Sequence, residues 1–157
     1  MSIKVRRATE RDLERINALL YQVAMVHHIG RPDLFKAGEK KYTDEQLIEI
    51  LHDEDRPIFA AVDENDVMQG YAFCVMQKSG GGVMTDIKTL YIDDICVDEA
   101  QRGKHIGTKV YEAAIEYAKE QGCHNVTLNV WECNPTAMAF YKSLGMKPYK
   151  TGMEVIL

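Results

Sequence analysis

The sequence predicts a mixed α/β fold: an α+β sheet whose antiparallel meander runs into a parallel pair of strands, with about four helices packed on it. Three observations carry this prediction. The runs Ile58–Val62, Val67–Met76 and Met84–Val97 follow one another with only turn-like segments between, so consecutive strands pair antiparallel. Ile106, Val110, Ala113, Ala114 and Tyr117 recur at helical spacing soon after the third run. A further strand-like run, Val126–Trp131, follows that helix, and two strands joined by a crossover helix lie parallel.

Taken in order, Ile3 to Ala8 alternates apolar and polar residues, the pattern of a half-buried strand. Thr9 is an N-cap with Asp12 at the capping-box position, ahead of Leu13, Ile16, Leu20 and Val23 at helical spacing. That helix is expected to fade near His27-His28, because Gly30 and Pro32 make Ile29–Phe35 a bend or loop. Thr43 with Gln46 forms a second capping box for a helix through Leu47, Ile50 and Leu51. Pro57 ends any helix and opens the buried run Ile58–Val62. Asp63 to Asp66 is a polar hairpin turn, Gly70 marks a bulge, and Ser79-Gly80-Gly81-Gly82 reads as a flexible loop. Gly122 sits where a left-handed helix cap is expected. Asn134-Pro135 starts a last helix, with Ala137, Phe140, Tyr141 and Leu144 on its apolar side and Gly145 at its end. Met146–Leu157 is expected to supply one or two closing strands.

A length of 157 residues suits one domain spanning 1–157. The composition, 46% hydrophobic and 27% charged, is that of an ordinary soluble protein. Met1 to Glu10 is too polar for a secretory signal, and no apolar run approaches the ~18 residues of a membrane span, so a cytoplasmic location without membrane attachment is expected. The four cysteines form no CxxC pair, and three fall in apolar strand-like runs, so reduced and mostly buried thiols are expected. Among the five histidines only His27-His28 are adjacent, and none has i, i+4 ligand spacing, so no metal site is expected.

The stretch Leu90 to Lys109 joins strand to helix through a short turn holding Gly103 and Gly107. Helix-start N–H groups lack intrahelical partners, and the helix dipole adds positive potential there. Although the chain carries a net charge of −5, no acid lies between Glu99 and Glu112, whereas Arg102, Lys104 and Lys109 do. A local basic spot in an acidic protein points to a small polyanionic ligand rather than to nucleic acid.

A second constellation runs Asn134-Pro135-Thr136-Ala137-Met138-Ala139-Phe140-Tyr141-Lys142-Ser143-Leu144-Gly145-Met146. With the loop Gln101 to Gly107 upstream, the chain resembles the GNAT N-acetyltransferase superfamily. The loop resembles that family's Q/R-x-x-G-x-G/A acetyl-CoA signature, and the later stretch its N-x-x-A-x-x-F-Y-x-x-L-G-F/M signature. One departure stands out: the usual middle glycine of the loop is His105, which would be strained at positive φ, so either its φ is ordinary or the turn differs.

The resemblance implies a GNAT-like acyl-CoA N-acyltransferase fold and an N-acetyltransferase that moves an acetyl group from acetyl-CoA to a primary amine by direct attack. It implies that backbone from Arg102, Gly103, Lys104, His105, Ile106, Gly107 and Thr108 holds the pyrophosphate, with the His105 ring as a further phosphate contact or facing solvent. The pantetheine arm would lie along Ile95, Cys96 and Val97, where the strand splays from its parallel neighbour, with an N–H near Val97 stabilising the oxyanion. Asn134 and Ala137 would contact the coenzyme. Tyr141 would be the general acid, its ordinary pKa of about 10 keeping it protonated at neutral pH.

The base is less defined. Asp93 is favoured because it shares a face with Tyr91, which would put Asp94 on the other face. Glu132 is a third choice, and Asn129 stands where some members carry a glutamate. An acetyl-cysteine route through Cys96 or Cys133 lacks an activating base. The acceptor site would be built by His27, His28, Arg31, Asp33, Phe35 and Lys36. Its cations would favour an acceptor bearing carboxylate or phosphate, whereas Asp93 and Glu132 would favour a polyamine or aminoglycoside. A small-molecule amine is expected ahead of a peptide amine. Dimerisation to a homodimer is common in such folds. A non-catalytic acyl-CoA-binding or regulatory module is the alternative from a different class.

Overall fold

The computed structural model describes residues 2–157, and its five-stranded sheet has the order β1-β2-β3-β4-β5. The strands β1 (Lys4–Arg7), β2 (Ile58–Val62), β3 (Met68–Gly81) and β4 (Met84–Val97) pair antiparallel in turn, and β5 (Asn125–Leu128) lies parallel to β4. Every residue of β2 is buried, as its unbroken apolar run requires. At the β2–β3 turn the Asp63 carboxylate accepts from Asn65 N and Val67 N at 2.9 and 3.0 Å.

The helix starts are set by local chemistry. Thr9 N donates to the Asp12 carboxylate at 2.8 Å, and a single 3₁₀ turn leads into α1 (Leu13–Gly30). Thr43 and Gln46 cap α2 (Asp44–Leu51) reciprocally, with N···O distances of 2.9 and 3.2 Å. Asn134 Oδ1 accepts from Ala137 N at 3.1 Å to open α4 (Pro135–Ser143). The remaining helix, α3 (Ile106–Glu120), is followed by Gly122 at φ 73°.

The sheet separates two apolar layers. On one face Ile16, Leu19, Leu20 of α1 and Leu47, Ile50 of α2 pack on Tyr71, Phe73 and Cys96. On the other, Ile106, Val110, Tyr111, Ala114 and Ala118 of α3 pack on Phe59, Ala72, Leu90 and Ile92.

Four expectations need correction. The first helix does not fade at His27-His28 but runs to Gly30, where a Cβ would lie 2.7 Å from Cys133 Sγ, so packing holds a residue that local propensity would release. Ser79 and Gly80 belong to β3, and the hairpin turns tightly, with Gly81 opposite Met84. The strand expected to reach Trp131 ends at Leu128. The closing strands expected in Met146–Leu157 are absent: that segment holds no helix or strand.

Candidate functional site

The short β5 creates an opening. Its pairing with β4 ends at Ile92↔Leu128, while β4 continues to Val97. The β4 backbone from Asp93 to Val97 therefore has a strand on the β3 side only, leaving an edge that an extended, amide-bearing ligand can pair with. This is the splay that the resemblance implied at Ile95, Cys96 and Val97.

The start of α3 lies where β4 leads. Arg15 Nη2 donates to the Asp98 carboxylate at 2.6 Å, and Gln22 Oε1 accepts from Glu99 N at 3.0 Å, so α1 anchors the chain as it enters the turn. Within the turn Gly103 has φ 83° and His105 has φ 61°, ψ 21°: His105 takes the left-handed conformation in place of the usual glycine. No side chain caps α3, in contrast to α2 and α4, and no acid sits in its first turn, in contrast to α2. Its first N–H groups stay available to an anion. Arg102, Lys104 and His105 are exposed beside them, with Lys104 Nζ on Gln101 Oε1 at 2.8 Å. Ile106 and Gly107 are buried, so only their backbone can serve a ligand; Thr108 is half-buried.

Two glycines set how closely that helix start sits on the sheet. A Cβ at Gly70 would meet Ile106 Cγ2 at 2.9 Å and the Cys96 carbonyl oxygen at 3.1 Å. A Cβ at Gly107 would meet Phe140 Cζ at 3.1 Å. Gly70 adjoins the expected bulge: Ala61 pairs with Gly70 but Val62 with Met68.

A second bulge decides the carboxylates. Phe73 pairs with Asp94 but Cys74 with Ile92, so Asp93 is the extra residue and strict alternation fails there. Asp94 does not lie on the opposite face from Asp93, as alternation had implied. Asp93 accepts from Tyr42 Oη at 2.6 Å and Asp94 from Tyr71 Oη at 2.7 Å, and both tyrosines belong to the layer under α1 and α2. Lys41 Nζ also contacts both Asp93 oxygens, at 2.8 and 2.9 Å, so that carboxylate is fully engaged. Asp94 has no cation bonded to it among the described residues, and burial pushes its pKa up to about 6.

Tyr141, on α4, is half-buried, and its hydroxyl has no hydrogen-bond partner among the described residues. Burial first, then the charge of Asp94, raises its pKa, so it is a protonated donor at neutral pH. Cys96 is buried, its thiol faces the Leu19 carbonyl at 3.5 Å, and burial pushes its pKa up to about 12, so it is no thiolate nucleophile. Cys133 packs beside Gly30. No cluster of His, Cys, Asp and Glu that could hold a metal occurs among the described residues.

The α1–α2 segment docks on the chain beyond β5 through aromatic rings. Phe35 stacks edge-on to Trp131, centroids 5.3 Å apart, and His27 lies 5.0 Å from Phe35. Burial lowers the His27 pKa, with Lys41 adding to it. The His28 ring nitrogen Nδ1 pairs with the Phe35 carbonyl at 2.7 Å, which makes His28 a positioning residue for that loop. Arg31 is bound by Asp33 and Glu154. Glu132, next to Trp131, is exposed. Sequence reasoning missed Tyr42, Tyr71, Lys41 and Trp131; only Trp131, the sole tryptophan just past a strand, carried a visible signal.

The model of the acetyltransferase (GNAT) family matches residues 23–146. A probable glucosamine 6-phosphate N-acetyltransferase 2 of Oryza sativa is 28% identical over 149 residues, 92% of this chain and 81% of that one. The thialysine N-epsilon-acetyltransferase of Sus scrofa is 28% identical over 138 residues, covering 87% and 74%. A crystal structure of a mutant of the BH1408 protein of Bacillus halodurans superposes with a TM-score of 0.94 at 34% identity, covering 98% of this chain and 99% of that one.

Proposed function

Because the chain belongs to the acetyltransferase (GNAT) family, we propose that it transfers the acetyl group of acetyl-CoA to the primary amine of a small molecule by direct attack. The observation that carries this reading is the combination of three features: an open β4 edge, an uncapped α3 start and a protonated Tyr141 on α4. Acetyl-CoA supplies the thioester carbonyl and a thiolate leaving group.

The backbone of Gly103 to Thr108, with Arg102 and Lys104, holds the pyrophosphate, and Ile95 to Val97 pairs with the pantetheine amides. Asn134 and Ala137 spend their side-chain and backbone contact on the cap of α4, which aims Tyr141. The amine must lose a proton, since its ordinary pKa is about 10.4. We assign that proton to Asp94, directly or through water, rather than to Asp93, whose oxygens Lys41 and Tyr42 already hold. The C–N bond forms as the C–S bond breaks, and Tyr141 gives its proton to the departing sulfur.

The relatives' names support a small-molecule acceptor, since both describe acetylation of a small amine. Arg31 is neutralised by Asp33 and Glu154, and Lys41 by Asp93, so the loop offers little net positive charge. With Glu132 exposed beside the Phe35–Trp131 wall, a cationic amine fits better than a phosphorylated one. The test is release of free CoA thiol from acetyl-CoA across polyamines, amino sugars, amino-sugar phosphates and peptides, with Tyr141→Phe beside the parent. Turnover that falls in Tyr141→Phe is expected. Acetyl-CoA binding without turnover on any amine would overturn this reading in favour of a non-catalytic acyl-CoA-binding module.

A further inference from the structure

Two lysines are ion-paired among the described residues, and they differ in kind. Lys40 pairs locally with Asp44, the first residue of α2. Lys41 instead crosses to the sheet, where its Nζ lies 2.8 and 2.9 Å from the two Asp93 oxygens. Tyr42 fixes the backbone that presents it: its ring stacks on Phe73, centroids 5.8 Å apart, and its hydroxyl donates to the same carboxylate at 2.6 Å. The Lys41 side chain is still 50% exposed, and a half-exposed ion pair on a flexible stem opens readily. Asp94 is next in the chain. Burial raises its carboxyl pKa and the Tyr71 hydroxyl lowers it; the charge of Lys41 is the next largest influence, so the amine stands within electrostatic reach of that group too.

β4 runs from Asp93 through Val97 towards the turn that holds Gly103. A coenzyme with its diphosphate at the α3 start and its arm along Val97 to Ile95 delivers its thioester at the far end of the open edge, beside Asp93 and Asp94. A primary amine of the chain itself already stands there. On the strength of the acetyl-transfer reading, we infer that Lys41 is a self-acetylation site: with no acceptor bound, its Nζ takes the acetyl group from the coenzyme held by the same chain. One proton leaves the ammonium to Asp94 and passes to solvent. The neutral Nζ attacks the thioester carbonyl, the C–N bond forms, the C–S bond breaks, and Tyr141 protonates the sulfur. The second proton lost from nitrogen restores Tyr141, leaving Nε-acetyl-Lys41 and free CoA thiol. The acetylated side chain carries no charge, so Asp93 loses its cation.

Mass spectrometry of the full chain, incubated with acetyl-CoA and no acceptor, tests this. Intact mass should show the gain of one acetyl group, and peptide mapping should place it on Lys41 ahead of every other lysine. The labelled fraction should grow at a rate independent of protein concentration, as a reaction within one chain does. The label should be lost in Lys41→Arg and slowed in Tyr141→Phe. Acetyl groups spread over many exposed lysines, a Lys41 label that forms as fast in Tyr141→Phe while amine turnover falls, or a rate that climbs with protein concentration would each overturn the inference. Turnover on added amines with Lys41 left unmodified would overturn it and leave the acetyltransferase reading standing. No CoA release with or without amines would bring down both.

Discussion

The His105 turn gives a prediction that can be worked through in numbers. The residue sits at φ 61°, ψ 21°, and no hydrogen bond holds its ring among the described residues. An L-residue in this left-handed region is disfavoured by about 1–2 kcal/mol, whereas glycine adopts it freely but loses about 0.5–1 kcal/mol more chain entropy on folding. His105→Gly should therefore be more stable than the parent by up to about 1 kcal/mol, or up to ~4 °C in Tm for a chain of this size. His105→Ala keeps the strain and loses no ring contact, so it should match the parent. His105→Val puts a β-branched side chain where it is least tolerated and should destabilise by about 1–2 kcal/mol. Urea unfolding of the four proteins, with CoA titration of each, reads both consequences. The glycine variant should keep CoA affinity, because the proposed contact is made by backbone N–H groups, and the valine variant should lose it. A valine variant as stable and as tight-binding as the parent would refute the reasoning.

Three further outcomes follow from the site. Tyr141→Phe removes the proposed donor to the leaving sulfur, so kcat should fall about 100-fold or more with unfolding unchanged, checked by CoA-thiol release and thermal melts. Asp94 is raised from 3.8 to about 6, so its ionised form is disfavoured by folding. That penalty is absent below pH 3.8, grows as pH rises towards about 6, and is full above it; at 1.36 kcal/mol per pH unit the gap is about 3 kcal/mol. Asp94→Asn should therefore gain up to about 3 kcal/mol of stability at pH 7 while losing activity, and the acid limb of the parent's rate profile near pH 6 should vanish with it. Gly70→Ala pushes a Cβ to within 2.9 Å of Ile106 Cγ2, which should cost about 1–3 kcal/mol in urea unfolding and raise the Kd for CoA by shifting the start of α3.

What was legible in the sequence was local. The Thr43–Gln46 box, the Asn134-Pro135 helix start and the Gly122 turn each follow from contacts within a few residues, and each forms as read. The β4–α3 junction was legible for the same reason. The features that escaped depend on a distant partner. Gly30 stays helical because Cys133 packs on it from a hundred residues away. The bulge at Asp93 exists only in register with Phe73 and Cys74, so alternation alone assigned Asp94 to the wrong face. Tyr42 and Tyr71 look like ordinary core aromatics until the fold sets their hydroxyls on the two aspartates. The one or two strands expected in Met146–Leu157 do not form, because a strand needs a partner edge that local pattern does not locate.

The central claim is that backbone amides at the start of α3 grip the coenzyme's diphosphate while the open β4 edge takes its arm. Amide chemical shifts followed during titration with CoA test it most directly. The account predicts saturable shifts concentrated at Gly103 to Thr108 and at Ile95 to Val97. Saturable binding that leaves both groups of resonances unmoved and perturbs another surface would contradict it.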